Sequence, residues 1–484
     1  MIARTSAPHP LVSISFLLAF VSYFYSAQPI FGTPDIPWHI AAGEWMMAHG
    51  SIPLHDPWSF TAGNTRWFNI SWLWDVLLSQ IFSVGGPHLT YIFACLLGAI
   101  NIATLTWCLK ARRHLSDGYI ALIVILVWYV QVSYLYAKPE MVSIFLTCVF
   151  HHLLYRHRTH FENRFYCIVL PLLMLLWVNM HGGFIIGFII IGAHLIEAYE
   201  TRNWAWFKTL IKLSATCAVA CLINPYHIFI VEAVLRTLHS SITPYIEEWQ
   251  PFVFGHQISI SVLIILFILA SNLRDANIAL ADKILAFAWL IAALQANRNN
   301  ISFAILAAPY LAYSLQEFAR HVQKERFKSG NGILMDSPIN RARFLMLAIT
   351  IALCLSFIPA DVKKTDADPM KLTQALSKIQ KAYPNHRFLN DYDLGGYIIF
   401  LAKDQWKLFV DGRAGTAYSE EVLQDTITFL SAKDDADAII DKYRINGLIL
   451  RKTHPYYITR LSKAPRGWKE IYNNDSIVAF VKKP

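Results

Sequence analysis

Long apolar runs separated by short polar segments fill the first three quarters of the chain. Most of these runs hold about 15 to 25 residues, the length at which a helix crosses roughly 30 Å of hydrocarbon. We predict eleven membrane-spanning helices, near residues 11–31, 88–109, 118–136, 141–155, 165–179, 183–199, 210–223, 257–271, 283–297, 300–316 and 344–359. From residue 361 onward the polarity is that of a soluble protein. The pattern therefore predicts an all-α polytopic membrane bundle followed by a small soluble α/β domain.

Two segments near the start of the chain need separate interpretation. The first run ends in Tyr25-Ser26-Ala27-Gln28-Pro29, which lacks small residues at both cleavage positions of a signal peptide, so we interpret it as an uncleaved anchor. Residues 71–84 are amphipathic and are predicted to form a half-helix in the membrane interface, directly before the second spanning helix.

The C-terminal segment carries signals for both helices and strands. Helices are predicted at 370–382, 419–430 and 434–443. Strands are predicted at 387–390, 397–401, 408–410, 447–451, 468–472 and 477–482. Turn signals at Gly395-Gly396 and Asp411-Gly412 separate neighbouring elements.

The distribution of basic residues sets the orientation. The chain is 55% hydrophobic and 15% charged, and its net charge of +9 would suggest nucleic acid in a soluble protein. Here the basic residues lie in short loops: with the N-terminus inside, eighteen Lys and Arg fall on the cytoplasmic side and four on the other side before residue 360. We therefore expect no nucleic-acid partner, a transmembrane domain over 1–360 with a catalytic outer loop at 32–87, and an extracytoplasmic domain over 361–484.

Polar residues that interrupt the apolar pattern gather on the predicted outer side. They are Asp35, His39 and Asp56 in the first outer loop, Lys138 and Glu140 in the next, His181 in the third, Glu248 in a long later loop, and Arg298 in the last outer turn. A charge within the membrane costs roughly 3 kcal/mol on insertion scales, so such residues usually face a cavity and act there. Acids, bases and histidine converging on one face predict an interfacial active site.

Each of these residues also has a structural interpretation. Asp35 is a good N-cap for an interfacial helix running to Gly50, and His39 would follow on the same helical face. The others have alternatives of the same kind: an Asx turn at Asp56, a solvated hairpin turn at Lys138 and Glu140, and a satisfied turn histidine at His181.

Several of these motifs resemble those of a known superfamily. The stretches Pro34 to Trp45 and Gly50 to Thr61 are similar to the first outer loop of bacterial membrane proteins of the GT-C glycosyltransferase superfamily. The similarity continues along nearly the whole chain, through Lys138-Pro139-Glu140-Met141, Trp177-Val178-Asn179-Met180-His181-Gly182-Gly183-Phe184, Asn224-Pro225-Tyr226, Ile246-Glu247-Glu248-Trp249, Asn297-Arg298-Asn299-Asn300, Phe388-Leu389-Asn390-Asp391-Tyr392-Asp393-Leu394-Gly395-Gly396-Tyr397 and Phe409-Val410-Asp411-Gly412-Arg413.

The resemblance implies an enzyme that uses polyprenyl-phosphate-linked sugars, related in architecture to protein O-mannosyltransferases and the lipid A aminoarabinose transferase. It would transfer a hexosyl or pentosyl unit, with inversion, to a glycan, lipid or protein acceptor at the outer face of the bacterial cytoplasmic membrane. Asp35 would be the superfamily's first-loop acid. Relatives often have two adjacent acids, whereas Pro34 and Ile36 flank Asp35 here, so Asp56 or Glu140 would supply the second carboxylate. Lys138 stands where many relatives have arginine, and Mg²⁺ or Mn²⁺ is a candidate cofactor with no ligands assigned.

Glycosyl transfer from a lipid phosphate defines the roles that these residues would take. A base must accept the proton of the acceptor hydroxyl, and Asp35 is the candidate. Donors or cations must stabilise the departing phosphate, and the candidates are Lys138, His181 and Arg298. His39 and Glu248 are further candidate substrate contacts. Asp411 and Arg413 follow an apolar strand and either present a carboxylate and a guanidinium to an acceptor or form an internal salt bridge that holds the turn.

Two other functions are compatible with the pattern. A transporter or flippase of lipid-linked sugars would be expected to show inverted repeats and broken helices in matching halves, and no clear repeat is found. A non-catalytic scaffold in envelope polysaccharide assembly would use the outer domain for binding. The crowding of polar residues on one side favours the transferase.

Overall fold

The computed structural model describes residues 9–25, 32–63, 65–112, 114–158, 164–254, 258–271, 278–328, 369–402, 406–432, 435–462 and 467–483. The helices are α1 (Pro10–Tyr25), α2 (Asp35–His49), α3 (Trp72–Lys110), α4 (Asp117–Val132), α5 (Glu140–His157), α6 (Arg164–Met180), α7 (Ile185–Glu200), α8 (Trp204–Cys221), α9 (Ile230–Leu238), α10 (Ile258–Ser271), α11 (Leu280–Gln295), α12 (Asn300–Lys328), α13 (Pro369–Ala382), α14 (Gly395–Ala402), α15 (Glu420–Leu430) and α16 (Ala436–Lys442). The strands are β1 (Phe388–Asn390), β2 (Gly447–Arg451), β3 (Trp468–Asn473) and β4 (Ile477–Lys482).

The apolar runs form helices close to their predicted positions. The predictions from 11–31 to 300–316 correspond to α1, α3 to α8, and α10 to α12, while 344–359 lies outside the described residues. Within the described part of the chain, α3 and the stretch Gly182–Glu200 that contains α7 are long and apolar enough to cross a membrane. The number of spanning helices therefore stays a prediction.

Helix α3 contains the two segments predicted at 71–84 and 88–109. Gly85 and Gly86 interrupt its helical backbone, and Gly86 has a φ of 58°, a conformation that glycine adopts readily. Pro87 follows and cannot donate a backbone hydrogen bond. The half-helix and the longer apolar helix therefore meet at a break.

Helix α2 runs from Asp35 to His49, and Gly50 ends it with a φ of 61°. The predicted capping role of Asp35 is wrong. Pro34 takes the N-cap position and makes no side-chain cap, and the Asp35 backbone N–H donates to Thr33 Oγ1 at 3.3 Å. The Asp35 carboxylate lies instead beside Lys138 and accepts a hydrogen bond from Trp38.

The C-terminal segment is built on a four-stranded sheet with the order β1-β2-β4-β3. β1 pairs with β2 in parallel, Phe388 facing Gly447, and the other two pairings are antiparallel. Both faces of β2 and β4 are buried, which explains their continuous apolar sequence. Helices α13, α15 and α16 confirm the predictions at 370–382, 419–430 and 434–443.

Two of the predicted strands are wrong. Residues 397–401 lie in helix α14, which packs against α2; a short apolar run without alternation does not distinguish a buried strand from a buried helix. Residues 408–410 join no strand of the sheet. Leu408 instead pairs with the first outer loop, exchanging backbone hydrogen bonds of 3.0 and 3.1 Å with Trp58 and Phe60.

The first outer loop and the C-terminal segment share one hydrophobic core. Trp38, Trp58 and Trp67 are buried in the same cluster as Leu389 and Ile398. A separate core fills the helical bundle. Residues far apart in sequence are thereby fixed on one side of the bundle.

Candidate active site

Lys138 lies at the centre of a group of charged side chains from separate parts of the chain. Its Nζ is 2.7 Å from Asp35 Oδ2, 3.4 Å from Glu248 Oε2 and 4.0 Å from Glu140 Oε1. Two more predicted residues lie next to these acids: Arg298 beside Glu248 and His181 beside Glu140. We call Asp35, Lys138, Glu140, His181, Glu248 and Arg298 the Lys138 cluster.

Short turns and helix starts bring these residues together. Asp35 is the first residue of α2 and Glu140 the first of α5, where the positive end of a helix dipole stabilises a carboxylate. Lys138 precedes α5 by one turn residue, Pro139, which occupies the N-cap position. The cluster thus lies at the predicted outer ends of the helices.

Asp35 is held in its charged form. Burial raises the pKa of its carboxyl, but the Lys138 ammonium and its hydrogen bond outweigh burial and leave the pKa below the usual value. Asp35 Oδ1 accepts a hydrogen bond of 3.3 Å from Trp38 Nε1. About a quarter of the side chain stays exposed (24%), so a ligand can reach the carboxylate.

Glu248 connects Lys138 to Arg298. Its second oxygen, Oε1, is 3.5 Å from Arg298 Nη1. The Arg298 guanidinium also lies over the Trp249 ring, 4.1 Å from its centre, a cation–π contact that fixes its plane. Both cations therefore face the same carboxylate and are about 16% and 26% exposed.

His181 is neutral in this cluster, and its hydrogen bonds are made at Nδ1. Its Nδ1 accepts from the Gly183 backbone N–H at 3.2 Å and lies 2.7 Å from Ser143 Oγ, which itself accepts from Trp177. With Nδ1 accepting, the proton of the neutral ring is on Nε2, which is 3.7 Å from Glu140. Burial, followed by the Arg298 and Lys138 charges and only partly offset by Glu140, lowers the pKa of His181 to about 4.

The C-terminal segment closes against the same site. A Cβ on Gly412 would lie 2.8 Å from Asp35 Oδ1, and one on Gly396 would lie 1.9 Å from the Pro34 carbonyl oxygen. The two glycines therefore permit a close approach that no other residue allows. Tyr392 was not singled out from the sequence. Its hydroxyl is buried and has no hydrogen-bond partner among the residues that the structure describes. Burial, then the Asp35 and Asp411 carboxylates, raise the pKa of Tyr392.

His39 lies beneath the cluster rather than in it. Its side chain is buried, and Nδ1 is 2.6 Å from the buried carboxylate of Asp75, which also accepts from Asn69. The ring stacks on Trp38 at 3.6 Å. His39 therefore supports the start of α2 and Trp38, the residue that donates to Asp35.

The structure separates Asp56, Asp411 and Arg413 from the Lys138 cluster. Arg413 binds both oxygens of Asp411 at 2.6 and 2.8 Å and Asp56 Oδ1 at 2.7 Å, and all three side chains are fully buried. Tyr418 donates to Asp411, and the Trp58 and Trp67 rings flank the guanidinium. We call Asp56, Asp411, Arg413 and Tyr418 the Arg413 cluster.

The Arg413 cluster resolves an alternative that the sequence left open. The internal salt bridge is present, and neither Asp411 nor Arg413 is exposed to an acceptor. Asp56 accepts from the Trp58 and Ser59 backbone N–H groups, as the Asx-turn interpretation requires. Burial raises the pKa of Asp56, but the Arg413 charge and hydrogen bond outweigh it and lower the pKa overall.

The described residues do not fit a divalent cation well. Within the described ranges no group of three or more His, Cys, Asp and Glu side chains is arranged to hold a metal. Three carboxylates do converge, but the Lys138 ammonium stands among them. As it stands, the arrangement can bind an anion through Lys138, Arg298 and the His181 N–H, and can take a proton at Asp35.

Comparisons place this architecture among solved structures. No protein-family model matches the chain, and no curated protein sequence matches it. The apo oligosaccharyltransferase of Archaeoglobus fulgidus superposes with a TM-score of 0.66 at 12% identity, over 99% of this chain and 75% of that one. A structure of the same enzyme in complex with Zn and sulfate gives a TM-score of 0.58 at 14% identity, over 98% and 73%.

Two further glycosyltransferases are similar. ArnT from Cupriavidus metallidurans, bound to undecaprenyl phosphate, has a TM-score of 0.53 at 13% identity, over 97% of both chains. The mycobacterial arabinofuranosyltransferase AftD has a TM-score of 0.50 at 10% identity, over 98% of this chain and 40% of that one. At these identities the likeness concerns the fold.

Proposed function

The chain has the GT-C fold of these membrane glycosyltransferases, and we propose that it moves a sugar from a polyprenyl-phosphate-linked donor to an envelope acceptor. The acceptor is a glycan, lipid or protein at the outer face of the bacterial cytoplasmic membrane. The observation that carries the proposal is the Lys138 cluster: two protein cations and a neutral donor stand beside a reachable carboxylate. This is the set of groups that transfer from a lipid phosphate requires.

In the proposed reaction the acceptor hydroxyl attacks the anomeric carbon of the donor sugar. The hydroxyl proton passes to Asp35, the bond between that carbon and the phosphate oxygen breaks, and the polyprenyl phosphate leaves with its electrons. A single displacement of this kind inverts the anomeric centre. Lys138, Arg298 and the His181 N–H stabilise the charge on the departing phosphate.

The binding of the donor would prepare Asp35 for its role. In the ligand-free structure Lys138 pairs with Asp35 and keeps the carboxylate weakly basic. A donor phosphate that draws Lys138 toward itself weakens this pair, and the pKa of Asp35 then rises toward the range of an effective base. Donor binding therefore precedes proton transfer in the proposed order.

The remaining sequence-based predictions enter the same proposal. The solved neighbours include one complex with dolichol-phosphate and one with undecaprenyl phosphate, which supports a polyprenyl-phosphate carrier. We propose that the helical part crosses the membrane eleven times with its N-terminus inside. The segment 361–484 then lies outside, covering the Lys138 cluster together with the first outer loop. Glu140 orients His181, and the Arg413 cluster holds the loop and the segment together.

The decisive experiment compares purified wild type with Asp35→Asn, using a polyprenyl-phosphate-linked sugar and an envelope extract as acceptor. Loss of a general base typically lowers the rate by about a hundred- to ten-thousand-fold. Asp117→Asn, which removes an exposed carboxylate paired with Lys110 at the predicted cytoplasmic side, is the matched control and should transfer normally. The stability of the three proteins should agree within about 1 kcal/mol, because Asp35 caps no helix and Lys138 keeps Glu140 and Glu248 as partners.

Other outcomes would exclude the proposal. Equal transfer by wild type and Asp35→Asn would remove Asp35 from the mechanism. Movement of a lipid-linked sugar across vesicles without any glycosylated product would identify a transporter. Binding of envelope glycan with neither transfer nor transport would identify a scaffold.

A further inference from the structure

We propose that the Lys138 ammonium takes the place of a divalent metal ion, so that the site binds its phosphate without one. Its consequence for catalysis rests on the proposed function, whereas the exclusion of a metal concerns the geometry of the cluster alone. The inference departs from one structural neighbour, an oligosaccharyltransferase solved in complex with Zn and sulfate.

The first argument is the position of the Lys138 Nζ atom. The three acids that face it come from three elements: Asp35 from α2, Glu140 from α5 and Glu248 from the turn Glu247–Trp249. Carboxylate oxygens from separate elements that converge on one point are the usual ligands of Mg²⁺ and related hard cations. Here the point of convergence is the ammonium, at 2.7, 3.4 and 4.0 Å from the three oxygens.

Repulsion between like charges is the second argument. The Lys138 ammonium contacts all three acids, Asp35, Glu140 and Glu248. Arg298 adds a second positive charge beside Glu248. A divalent ion at the oxygens that Lys138 contacts would lie within a few ångströms of the ammonium, and the two like charges would repel strongly. The site therefore accommodates Lys138 or a divalent ion, but not both.

The third argument is the chemistry of the lysine side chain. An ammonium is a compact point charge with three donors, whereas the planar guanidinium of arginine requires a fork of acceptors. Three acids placed around one atom suit the ammonium of a lysine. The Lys138 side chain is only 16% exposed, and Pro139 follows directly in the chain and restricts the backbone of Lys138, so the ammonium lies among the acids in the ligand-free structure. Like a bound metal, it presents a positive charge to a phosphate oxygen.

The test measures Mn²⁺ binding directly, by the electron paramagnetic resonance signal of free Mn²⁺, to chelator-treated protein in nanodiscs of zwitterionic lipid. Wild type should show no saturable site. Lys138→Ala leaves three carboxylates around an empty position and should gain a saturable site for one Mn²⁺, because hard cations prefer carboxylate oxygens. That site should fill at Mn²⁺ concentrations at least about ten-fold below the highest at which wild type still shows no saturation. Adding Glu248→Gln to Lys138→Ala should abolish that binding. Lys138→Arg retains a cation and should behave as wild type.

Each outcome decides between the alternatives. A saturable Mn²⁺ site in wild type that Glu140→Gln removes would overturn the proposal, and this arm needs no Lys138 variant to fold. Lys138→Ala that is folded but binds Mn²⁺ no better than wild type would also overturn it. A chelator should leave wild-type transfer within about two-fold, whereas loss of transfer that Mn²⁺ restores would contradict the proposal. If no transfer is found under any condition, the proposed function fails while the Mn²⁺ titration still decides the metal question.

Discussion

Among the ion clusters that the described residues form on the predicted outer side, the one centred on Lys138 and the one centred on Arg413 differ most clearly. In the Arg413 cluster every charged side chain is fully buried, and Arg413 meets both oxygens of Asp411 and one of Asp56. In the Lys138 cluster the side chains are 13% to 37% exposed, and several contacts are 3.4 Å or longer. The charges of the Arg413 cluster are satisfied within the protein, whereas the Lys138 cluster is accessible to a ligand.

The difference separates a structural ion cluster from a binding site. A buried charge is tolerated when good geometry and further hydrogen bonds satisfy it, and the Arg413 cluster meets that condition within the protein. Long contacts among partly exposed ions can be exchanged for a ligand at little cost. We therefore expect variants of Arg413 to change stability and variants around Lys138 to change binding and turnover.

The largest effect on stability should follow from Arg413→Met. Methionine retains the apolar contacts with Trp58 and Trp67 but leaves Asp56 and Asp411 as buried, unpaired carboxylates. Breaking a buried ion pair in this way typically costs about 3 to 5 kcal/mol. Thermal unfolding followed in detergent should show a clearly lower midpoint. If Arg413→Met instead has the unfolding midpoint of wild type but no longer transfers sugar, the Arg413 cluster belongs to the active site.

Lys442→Met provides the matched control for Arg413→Met. Lys442 also contacts two acids, Glu421 at 2.8 Å and Asp425 at 2.6 Å, but on the surface, with 42% of its side chain exposed. Exposed pairs contribute about 0 to 1 kcal/mol. An equal loss of stability in the two variants would show that burial does not distinguish these clusters.

A smaller effect, dependent on pH, is expected from His181. Its pKa is lowered to about 4 in the folded protein, mainly by burial, whereas an unfolded histidine titrates near 6.5. The unfolded state therefore takes up the proton first. The contribution of neutral His181 to the free energy of unfolding is therefore fully present above about pH 6.5. The free energy of unfolding then falls by about 3 kcal/mol as the pH drops toward 4.

The measurement is the unfolding midpoint between pH 7 and pH 4 for wild type, His181→Asn and the control His49→Gln, which alters an exposed histidine at the end of α2. The decline in wild type should be reduced in His181→Asn and retained in the control. Parallel curves for all three proteins would show that His181 does not titrate as the structure indicates.

The sequence was informative about helices and about which polar residues matter. Apolar length alone located α3 to α8, since an apolar run long enough to cross hydrocarbon leaves few alternatives to a helix. It was less informative in the C-terminal segment. There α14 was predicted as a strand, because a five-residue apolar run has no period that separates the two structures.

The sequence also predicted one site where the structure has two clusters. Asp35 and Asp56 lie in the same outer loop and looked equivalent, yet one pairs with Lys138 and the other with Arg413. The distinction depends on contacts across more than 350 positions, such as Arg413 with Asp56, and no local pattern encodes them. Ser143 and Tyr392 were missed for the same reason, since nothing in their neighbours shows that they reach His181 or Asp35.

The smallest expected effect comes from Tyr392→Phe, which tests whether the C-terminal segment takes part in the Lys138 cluster. The Tyr392 hydroxyl lies buried near the carboxylates of Asp35 and Glu248, and none of the described residues hydrogen-bonds to it. A buried polar group without a partner calls for an explanation such as a bound ligand. If the hydroxyl donates to bound substrate, its removal should lower transfer about ten-fold, the value of one hydrogen bond. The stability of Tyr392→Phe should equal or exceed that of wild type, because a buried polar group without a partner is removed.

The control for the substitution itself is Tyr472→Phe. Tyr472 lies on the edge strand β3, and its hydroxyl accepts a hydrogen bond from the Asn474 side chain. A loss of stability in Tyr392→Phe with unchanged transfer per folded molecule would show that the hydroxyl serves the fold, and that the C-terminal segment covers the Lys138 cluster without contributing to its chemistry.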